Sequence, residues 1–377
     1  MNILIIYPFF NQYGLMHNFS SKLDGFGIKA DVVCMYNLVY KKISTIEWPK
    51  QVEIFFKTFQ NSQKNVINKS IRKLFESYCF GRLFSLYDMV DFHAYYPGYN
   101  KLMRRCIKQN VKFDITLWGS DIMRATDKTK KQLRYGFDHS YRIKMSDNLH
   151  ETMLQSYGNE YEKKSRIVYF GNSDLTVIDQ LKDTDAKDTV YKLYGNLGKK
   201  KIVVFGYNGL SSQNHEKMID ALLKLTLEER ASIHVVIPMT YGGKPEYINN
   251  VRTLMDKTSV SYTILHQFLN PEQVATIRKT ADIVVNVQNT DAIAASLQDH
   301  LYCRNVCIFG EWLNYIPYTK NDIYYIKTSM EDIAMHIKKV LHCYSEHKEL
   351  CVRNHDKIKQ LFSWESTIQD QVSVYGE

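Results

Sequence analysis

The sequence predicts an α/β protein with two consecutive, doubly wound sheets of parallel strands. Short apolar runs, bounded by polar residues or glycine, alternate with longer helical stretches along most of the chain. The runs are apolar on both faces, which is typical of parallel strands that are covered by helices on both sides. A length of 377 residues is more than one hydrophobic core usually holds, so two domains are expected.

The first half of the chain contains five predicted strands and three predicted helices. The strands are Ile3–Tyr7, Ala30–Met35, Met89–His93, Ile115–Leu117 and Arg166–Phe170. The helices are Met16–Phe26, Asn100–Gln109 and Leu149–Tyr157. This alternation of strand and helix is the pattern of a doubly wound sheet.

A polar stretch at residues 175–200 is interpreted as a hinge, and the alternation starts again after it. Six strands are predicted at Ile202–Gly206, Ile233–Pro238, Ser261–Leu265, Ile283–Val287, Val306–Phe309 and Ile323–Ile326. Four helices are predicted at Asn214–Lys224, Lys244–Lys257, Pro271–Thr280 and Ser296–Cys303. The predicted domains are residues 1–188 and 189–377. Each sheet offers a ligand crevice at the carboxyl ends of its strands, so two facing sheets are expected to border a central cleft.

Composition and charge narrow the classes of partner. The net charge of +9 suits a phosphorylated ligand or an anionic membrane surface, and no known nucleic-acid motif accompanies it. The 27 tyrosines suit sugar binding, or reflect only the codon bias of an AT-rich genome. The seven scattered cysteines indicate free thiols rather than a zinc site. With no signal peptide and no run of about 18 apolar residues, a cytoplasmic protein is expected.

The strongest motif follows the predicted strand Ile283–Val287. Small residues at 292–296 begin a helix, and free backbone amides at a helix start bind phosphates. Ser296 adds a hydroxyl, and Asp299, one turn inside, can accept hydrogen bonds from a ribose. Alternatively, the acidic residues of this segment only complement the helix dipole.

Asp291 and Asp299, eight residues apart and followed by a helix and a strand, resemble the E-x7-E element of family-4 glycosyltransferases, which have the GT-B fold. The resemblance implies that Asp291 faces the donor sugar and that Asp299 binds the ribose. Both acids are one methylene shorter than the family's glutamates, and Arg304 replaces the usual glycine.

A second element is the turn at residues 206–215, directly after the first strand of the second half, where glycine and serine suit phosphate binding. It contains four candidate donor-binding residues: Asn208, Ser211, Asn214 and His215. With Tyr241 and Lys244 in the run at residues 237–248, it resembles the bacterial lipid-linked N-acetylfucosaminyl transferases. His215 is alternatively only a neighbour of a helix cap.

The run at residues 115–124 resembles the strand and H-G-S-D turn of the same glycosyltransferase family, with Trp118 at the histidine position. Asp121 is a candidate catalytic base or, equally, a helix cap. His93, at the end of an earlier strand, is a second candidate base or a structural histidine. The Phe362-Ser363-Trp364-Glu365 run resembles the start of the family's final helix, which implies that residues 362–377 cross back to the first domain.

A basic, amphipathic stretch at residues 56–85 suits an anionic membrane surface or a helix packed on the first domain. A membrane role would place the protein on the inner face of the cytoplasmic membrane.

Taken together, the sequence predicts a glycosyltransferase that moves a sugar from a nucleotide-diphosphate sugar to a glycan or lipid-linked acceptor in bacterial surface polysaccharide synthesis. The acid pair favours a retaining reaction, whereas the N-acetylfucosaminyl transferase likeness favours an inverting one; retaining is preferred. No metal or other cofactor is expected, since helix-dipole stabilisation of the leaving diphosphate would replace it. The alternatives are a nucleotide-sugar 2-epimerase and a non-catalytic sugar-nucleotide-binding scaffold.

Overall fold

A computed structural model describes residues 1–8, 13–34 and 83–377 of the chain. It divides into two compact units. The first comprises Met1–Gly171 with Thr367–Glu377, and the second comprises Asn172–Ser366. The division at Gly171 lies earlier than the predicted domain boundary after residue 188. Most of the basic stretch at residues 56–85 lies outside the described residues.

The first unit contains a six-stranded parallel sheet in the order β2-β1-β3-β4-β5-β6. Its strands are β1 (Asn2–Tyr7), β2 (Lys29–Cys34), β3 (Met89–His93), β4 (Lys112–Thr116), β5 (Arg142–Met145) and β6 (Ser165–Ile167). The described α-helices of this unit are Tyr13–Asp24, Asn100–Lys108, Ser120–Met123, Asp127–His139 and Asp147–Tyr157. The doubly wound architecture predicted for this half is confirmed.

Strand β5 is the one strand of this sheet that the sequence analysis missed. Two of its four residues, Arg142 and Lys144, are charged, and that pattern is typical of an exposed segment. Both side chains are nevertheless buried. Arg142 pairs with Asp114 on β4, and Lys144 pairs with Asp91 on β3. The charged side chains of β5 can therefore be buried because β4 and β3 supply the opposite charges.

The last helix, Trp364–Gly376, starts in the second unit and belongs to the first from Thr367 onward. Tyr375 is buried in the first unit and its hydroxyl donates to Asp91. The Gln371 side-chain amide donates to the Tyr169 carbonyl at 3.1 Å, and Arg166 pairs with Glu377. The predicted crossing of the final helix back to the first domain is confirmed.

The second unit contains the other six-stranded parallel sheet, in the order β12-β11-β10-β7-β8-β9. Its strands are β7 (Lys201–Phe205), β8 (Ile233–Pro238), β9 (Ser261–Leu265), β10 (Ile283–Asn286), β11 (Val306–Gly310) and β12 (Ile326–Thr328). All six predicted strands are present, although β12 begins where the predicted strand ends. The strand order reverses between β7 and β10, and such a reversal opens a crevice at the carboxyl ends of the two strands.

Helices cover both faces of this sheet. They are Asp174–Gln180, Asp183–Tyr194, His215–Leu223, Leu227–Ala231, Pro245–Asp256, Pro271–Thr280, Ala295–Tyr302, Ile316–Lys320, Ile333–His342, Tyr344–Leu350 and Asn354–Phe362. The predicted hinge at residues 175–200 is wrong for most of its length, because two of these helices occupy it. They contact the Pro271–Thr280 helix, where Lys279 binds the Leu181 carbonyl at 2.6 Å and pairs with Asp183 at 3.1 Å.

The six cysteines within the described ranges form no disulfide bond. No helix within these ranges is both long enough and apolar enough to cross a membrane.

We expect Lys144→Met to destabilise the first unit strongly. Burial works to raise the pKa of Asp91, but Lys144 and His93 hold that pKa well below its ordinary value, so the carboxylate is charged. Removing Lys144 leaves this buried charge without its main partner. The free energy of unfolding, measured in urea, should fall by about 3–5 kcal/mol.

The control is Lys130→Met, which removes an exposed pair with Asp127 at 4.0 Å. Its effect should stay below about 1 kcal/mol. Equal losses in the two variants would contradict the importance of the buried pair.

Candidate functional site

The loops that follow β7 and β10 are joined by a network of uncharged side chains. The Tyr207 hydroxyl and the Gln213 side-chain amide both donate to Gln288 Oε1, at 3.0 and 2.7 Å. Gln213 Oε1 in turn accepts from the Tyr207 backbone amide at 3.1 Å. Gln213 and Gln288 are buried. The network fixes the two loops on either side of the point where the strand order reverses.

Asn214 and His215 form the start of the helix that follows the β7 loop. Asn214 is left-handed, with a φ of 60°, and its side-chain amide donates to the Val287 carbonyl at 2.7 Å and to Asn289 Oδ1 at 2.9 Å. His215 is fully buried, and its Nδ1 lies 3.2 Å from the Tyr247 hydroxyl. Burial lowers the pKa of His215 to about 4, so the imidazole is neutral at pH 7.

The β7 and β8 loops meet through glycine. The Gly209 amide donates to the Tyr241 carbonyl at 2.8 Å. A Cβ at Gly209 would lie 2.6 Å from Gly243 Cα and 2.7 Å from its nitrogen, so this contact needs glycine. The Tyr241 side chain beside it is half exposed, at 53%. The loop therefore presents an aromatic ring to solvent at the carboxyl edge of the sheet.

The other predicted donor-binding residues of these loops have different surroundings. Asn208 is buried, and its side-chain oxygen accepts from the Leu210 amide at 2.9 Å, which shapes the β7 loop. Ser211 and Lys244 are both exposed. Lys244 directly precedes the Pro245–Asp256 helix.

Asp291 lies in the β10 loop and is held by hydrogen bonds on both carboxylate oxygens. Its Oδ2 accepts from the Tyr315 hydroxyl at 2.8 Å, and its Oδ1 accepts from the Ala294 amide at 3.1 Å. Burial raises the pKa of Asp291 to about 6, while the hydrogen bonds from the Tyr315 hydroxyl and the backbone act in the opposite direction. Asp291 thus sits between the neutral network and the start of the next helix.

That helix, Ala295–Tyr302, begins with small residues as predicted. Ala295 is exposed, and the preceding Ala294 has only a methyl side chain and so cannot cap the backbone amides. Ile293 has a φ of 65° and turns the chain into the helix. The Ser296 hydroxyl is buried and has no partner among the described residues. An exposed helix start with an uncapped first turn is suited to an anion.

Asp299 differs from the prediction in its exposure. Its Oδ1 accepts from the Asn172 side chain at 2.7 Å, and its Oδ2 lies 3.4 Å from Arg278 Nε. The residue is 0% exposed. Burial raises its pKa to about 7. As placed here, the carboxylate ties the helix to its neighbours and offers no surface to a ribose; ribose binding would require Asn172 or Arg278 to move.

Four buried side-chain atoms around the strand reversal lack a hydrogen-bond partner among the described residues. They are His215 Nε2, Asn286 Oδ1, Gln288 Nε2 and Ser296 Oγ. Buried polar atoms are almost always paired in proteins, because an unpaired one costs about 1–3 kcal/mol. Other buried atoms of this kind, among them Arg278 Nε, Asp299 Oδ2 and Asn305 Oδ1, lie elsewhere in the described residues, so the four atoms at this edge favour a polar ligand there only together with the strand reversal and the helix start.

In the first unit, Asp121 has the geometry of a cap. Its carboxylate accepts from the backbone amides of Trp118 at 3.0 Å, Gly119 at 2.7 Å and Tyr95 at 3.2 Å. Burial raises the pKa of Asp121 to about 6, against the effect of those bonds. These contacts account for the residue structurally, and a role as catalytic base stays a prediction.

His93 is not available as a base in this structure. It is fully buried, and Trp118 Nε1 donates to its Nδ1 at 3.3 Å. The proton therefore lies on Nε2, which donates to Asp91 at 3.1 Å. Because both ring nitrogens are hydrogen-bonded, these contacts favour the alternative that His93 is a structural histidine.

Four residues of the second unit were missed by the sequence analysis: Tyr207, Gln213, Gln288 and Tyr315. Glutamine and tyrosine carry no motif of their own. The four residues are also distributed over three loops, those after β7, β10 and β11. Tyr207 and Gln213 lie in the predicted phosphate-binding turn at residues 206–215, but that prediction depended on its glycine and serine residues. No motif linked Tyr315 to Asp291.

Solved structures of similar fold cover the whole chain. A glycosyltransferase from Rickettsia africae is 14% identical, with a TM-score of 0.71, over 99% of this chain and 97% of its own. Anabaena HepE in complex with UDP and glucose is 10% identical, with a TM-score of 0.74, over 100% and 99%. UDP-GlcNAc 2-epimerase from Neisseria meningitidis bound to UDP-GlcNAc is 12% identical, with a TM-score of 0.58, over 100% of both chains.

No protein-family model matches the chain, and neither does any curated protein. At these identities, the structural likeness shows the fold alone. The two six-stranded parallel sheets with flanking helices thus have the two-domain GT-B fold that the sequence predicted.

We expect Gly209→Ala to force the β7 and β8 loops apart, because the new methyl group would overlap the Gly243 backbone. The free energy of unfolding should fall by about 1–3 kcal/mol in a urea titration. In the control Gly14→Ala, the methyl group meets no described atom within 4 Å at a helical position. That variant should be unchanged or more stable by up to about 1 kcal/mol. Similar behaviour of the two variants would disprove the close backbone contact.

Proposed function

We propose that this protein is a glycosyltransferase that uses a nucleotide-diphosphate sugar as donor. The observation that carries the proposal is the set of buried, unpaired polar atoms at the strand reversal of the second sheet, beside an uncapped helix start. Open α/β sheets bind their ligands at such a reversal. The likeness in fold to a solved complex with UDP and glucose supports a donor of this class.

The diphosphate is proposed to bind at the start of the Ala295–Tyr302 helix. The backbone amides at the exposed start of this helix supply donors. The Ser296 hydroxyl, the Gln288 amide and His215 Nε2 are buried, so they reach the ligand only if the β7 and β10 loops rearrange on binding. If the Tyr247 hydroxyl donates to Nδ1, the proton of the neutral His215 ring lies on Nε2. These neutral donors would stabilise the leaving diphosphate without a metal.

Asp291 is proposed to face the donor sugar, as the family resemblance implies. A carboxylate held on both oxygens keeps one orientation, and it can accept from sugar hydroxyls or stabilise positive charge that develops on the ring. The exposed Tyr241 ring at the same edge is a candidate surface for the base or the sugar.

The acceptor is proposed to be a glycan, in particular a lipid-linked glycan of a bacterial surface polysaccharide. Support comes from the resemblance at residues 203–270 to lipid-linked sugar transferases. A retaining reaction is preferred because of the acid pair. Peripheral membrane contact through residues 56–85 belongs to the same proposal.

The first test is a screen of nucleotide sugars by thermal shift, followed by detection of released nucleoside diphosphate. A true donor should raise the melting temperature, because it binds only the folded protein. In Asp291→Asn, release should fall about 100-fold or more while the free nucleoside diphosphate still binds. The control Asp220→Asn changes an exposed aspartate of the same unit and should keep full activity.

The products separate the alternatives. Release of nucleoside diphosphate that depends on an added glycan acceptor supports transfer, whereas an altered sugar nucleotide without any acceptor indicates an epimerase. Tight nucleotide binding with no turnover of any donor would indicate a scaffold.

A pH titration of Asp291 provides a further prediction. Its pKa is raised by burial from 3.8 to about 6, so the carboxylate becomes charged as the pH rises through 6, and the transfer rate should rise with it. The same shift works against stability: the protonated group favours the folded state below pH 3.8, and this contribution is lost as the pH rises through 6. Asparagine does not titrate. The melting temperature of Asp291→Asn relative to the wild type should therefore increase between pH 5 and pH 8, and a constant difference would count against the raised pKa.

A further inference from the structure

Tyr315 lies where its hydroxyl group has little freedom to move. It follows β11 and directly precedes the Ile316–Lys320 helix, and it is 1% exposed. Its ring packs against Phe309 and Tyr318, with centroids 5.4 and 5.1 Å away, and against Tyr325 at 6.2 Å. Three aromatic neighbours hold the ring, so the position of the hydroxyl is set by the core of the second unit.

The direction of the hydroxyl proton is also set. Asn286 Nδ2, at the end of β10, donates to the Tyr315 oxygen at 3.3 Å. That oxygen donates its own proton to Asp291 Oδ2 at 2.8 Å. Because the amide occupies the acceptor side of the oxygen, the phenol proton is directed at the carboxylate. The chain Asn286–Tyr315–Asp291 thus runs from a sheet residue to the β10 loop.

We propose that Tyr315 is a positioning residue for Asp291, whose hydroxyl holds the carboxylate in the orientation that faces the donor sugar. The role of Asp291 in this inference rests on the proposed function. The contact between Tyr315 and Asp291 is independent of that function. The Ala294 amide fixes the other oxygen. Without the phenol, Asp291 Oδ2 loses this hydrogen bond, and the carboxylate can rotate about its side-chain bonds.

The phenol also acts on the charge of Asp291. A hydrogen bond to a carboxylate favours the ionised form, so its loss raises the pKa of the acid. Among the described residues, the other titratable groups that act with Asp291 are three tyrosines: Tyr207 and Tyr241 in the β7 and β8 loops, and Tyr318 in the Ile316–Lys320 helix. Their pKa values are raised above the ordinary value by burial, so they stay neutral between pH 5 and 8.

Two charged groups lie further along the same side of the unit. Asp299, with a pKa raised by burial to about 7, acts on Tyr318 together with Asp291, and Arg278 acts on Tyr241. Asp299 titrates in the same pH window, so a pH–rate profile alone would mix the two acids. The decisive measurement therefore has to observe Asp291 itself.

The variant is Tyr315→Phe, and the chain provides a matched control in Tyr318→Phe. Tyr318 packs on the same ring, is equally buried, and its hydroxyl has no partner among the described residues. Both substitutions remove one buried oxygen and keep the ring, but only the first removes a bond to Asp291.

The readout is the carboxyl signal of Asp291 in ¹³C NMR, titrated from pH 4 to 9 and assigned by its absence in Asp291→Asn. In Tyr315→Phe the pKa of Asp291 should rise by about one unit above that of the wild type. In Tyr318→Phe it should stay unchanged. Where a donor turns over, kcat/KM should fall about tenfold in Tyr315→Phe alone, with its acid limb moved to higher pH.

An unchanged Asp291 titration in a folded Tyr315→Phe protein, or equal shifts in the two variants, would overturn the proposal. If Tyr315→Phe does not fold, the variant is Asn286→Leu, which removes the amide that directs the phenol proton. It should shift the Asp291 signal in the same direction by a smaller amount. No shift in this variant would overturn the proposal. A shifted titration with no turnover of any donor by the wild type would refute the proposed function while supporting the positioning contact.

Discussion

Parallel pairing of β7 with β10, at the point where the strand order of the second sheet reverses, is the constraint on which the candidate site depends. It brings two loops distant in sequence to one edge, and the hydrogen bonds of Tyr207 and Gln213 to Gln288 then hold them together. Neighbouring strands on either side add the β8 loop with Tyr241 and the β11 loop with Tyr315. No single segment contains the site, because each strand contributes only the loop at its carboxyl end.

The two units solve the problem of buried polarity in different ways. The first uses charge: Asp91 and Asp114 are balanced by Lys144 and Arg142 within three adjacent strands, and the final helix adds Tyr375. The second uses neutral amides and phenols around Asp291. Paired charges anchor the adjacent strands, although Arg142 Nη1 has no partner among the described residues, whereas the second unit combines neutral donors with several unpaired atoms at one edge. This difference is consistent with a structural role for the first cluster and a binding role for the second.

Asp291 connects these observations. Its carboxylate joins the uncapped helix start, through the Ala294 amide, to the aromatic core behind β11, through Tyr315. A residue fixed from both sides in this way is pre-organised, which is what stabilisation of a developing charge requires. Burial removes water from the carboxylate and so raises its pKa, against the effect of the hydrogen bonds that orient it.

The sequence by itself determined the architecture. Apolar runs with the right length and alternation located eleven of the twelve strands, because burial on both faces leaves a local compositional signal. The final helix was expected from the resemblance of residues 362–365 to a known family. The sequence also placed Asp291 and the small-residue helix start, since their signal lies within one short segment. The polar stretch at residues 175–200 was wrongly predicted to be a hinge. Its two helices are stabilised by contacts with the Pro271–Thr280 helix, and the local polarity of the sequence does not reveal such contacts.

Tertiary structure alone decided the rest. Strand β5 is buried because Asp91 and Asp114 on other strands neutralise its charges, and His93 is structural because Trp118 and Asp91 occupy its nitrogens. Asp299 is buried and contacts Asn172 and Arg278, two residues that are far from it in sequence. The roles of Gln213, Gln288 and Tyr315 arise only from the pairing of strands. The burial of a hydrophobic run can be predicted from its own residues. The partner of a polar side chain depends on which distant residue the fold places beside it.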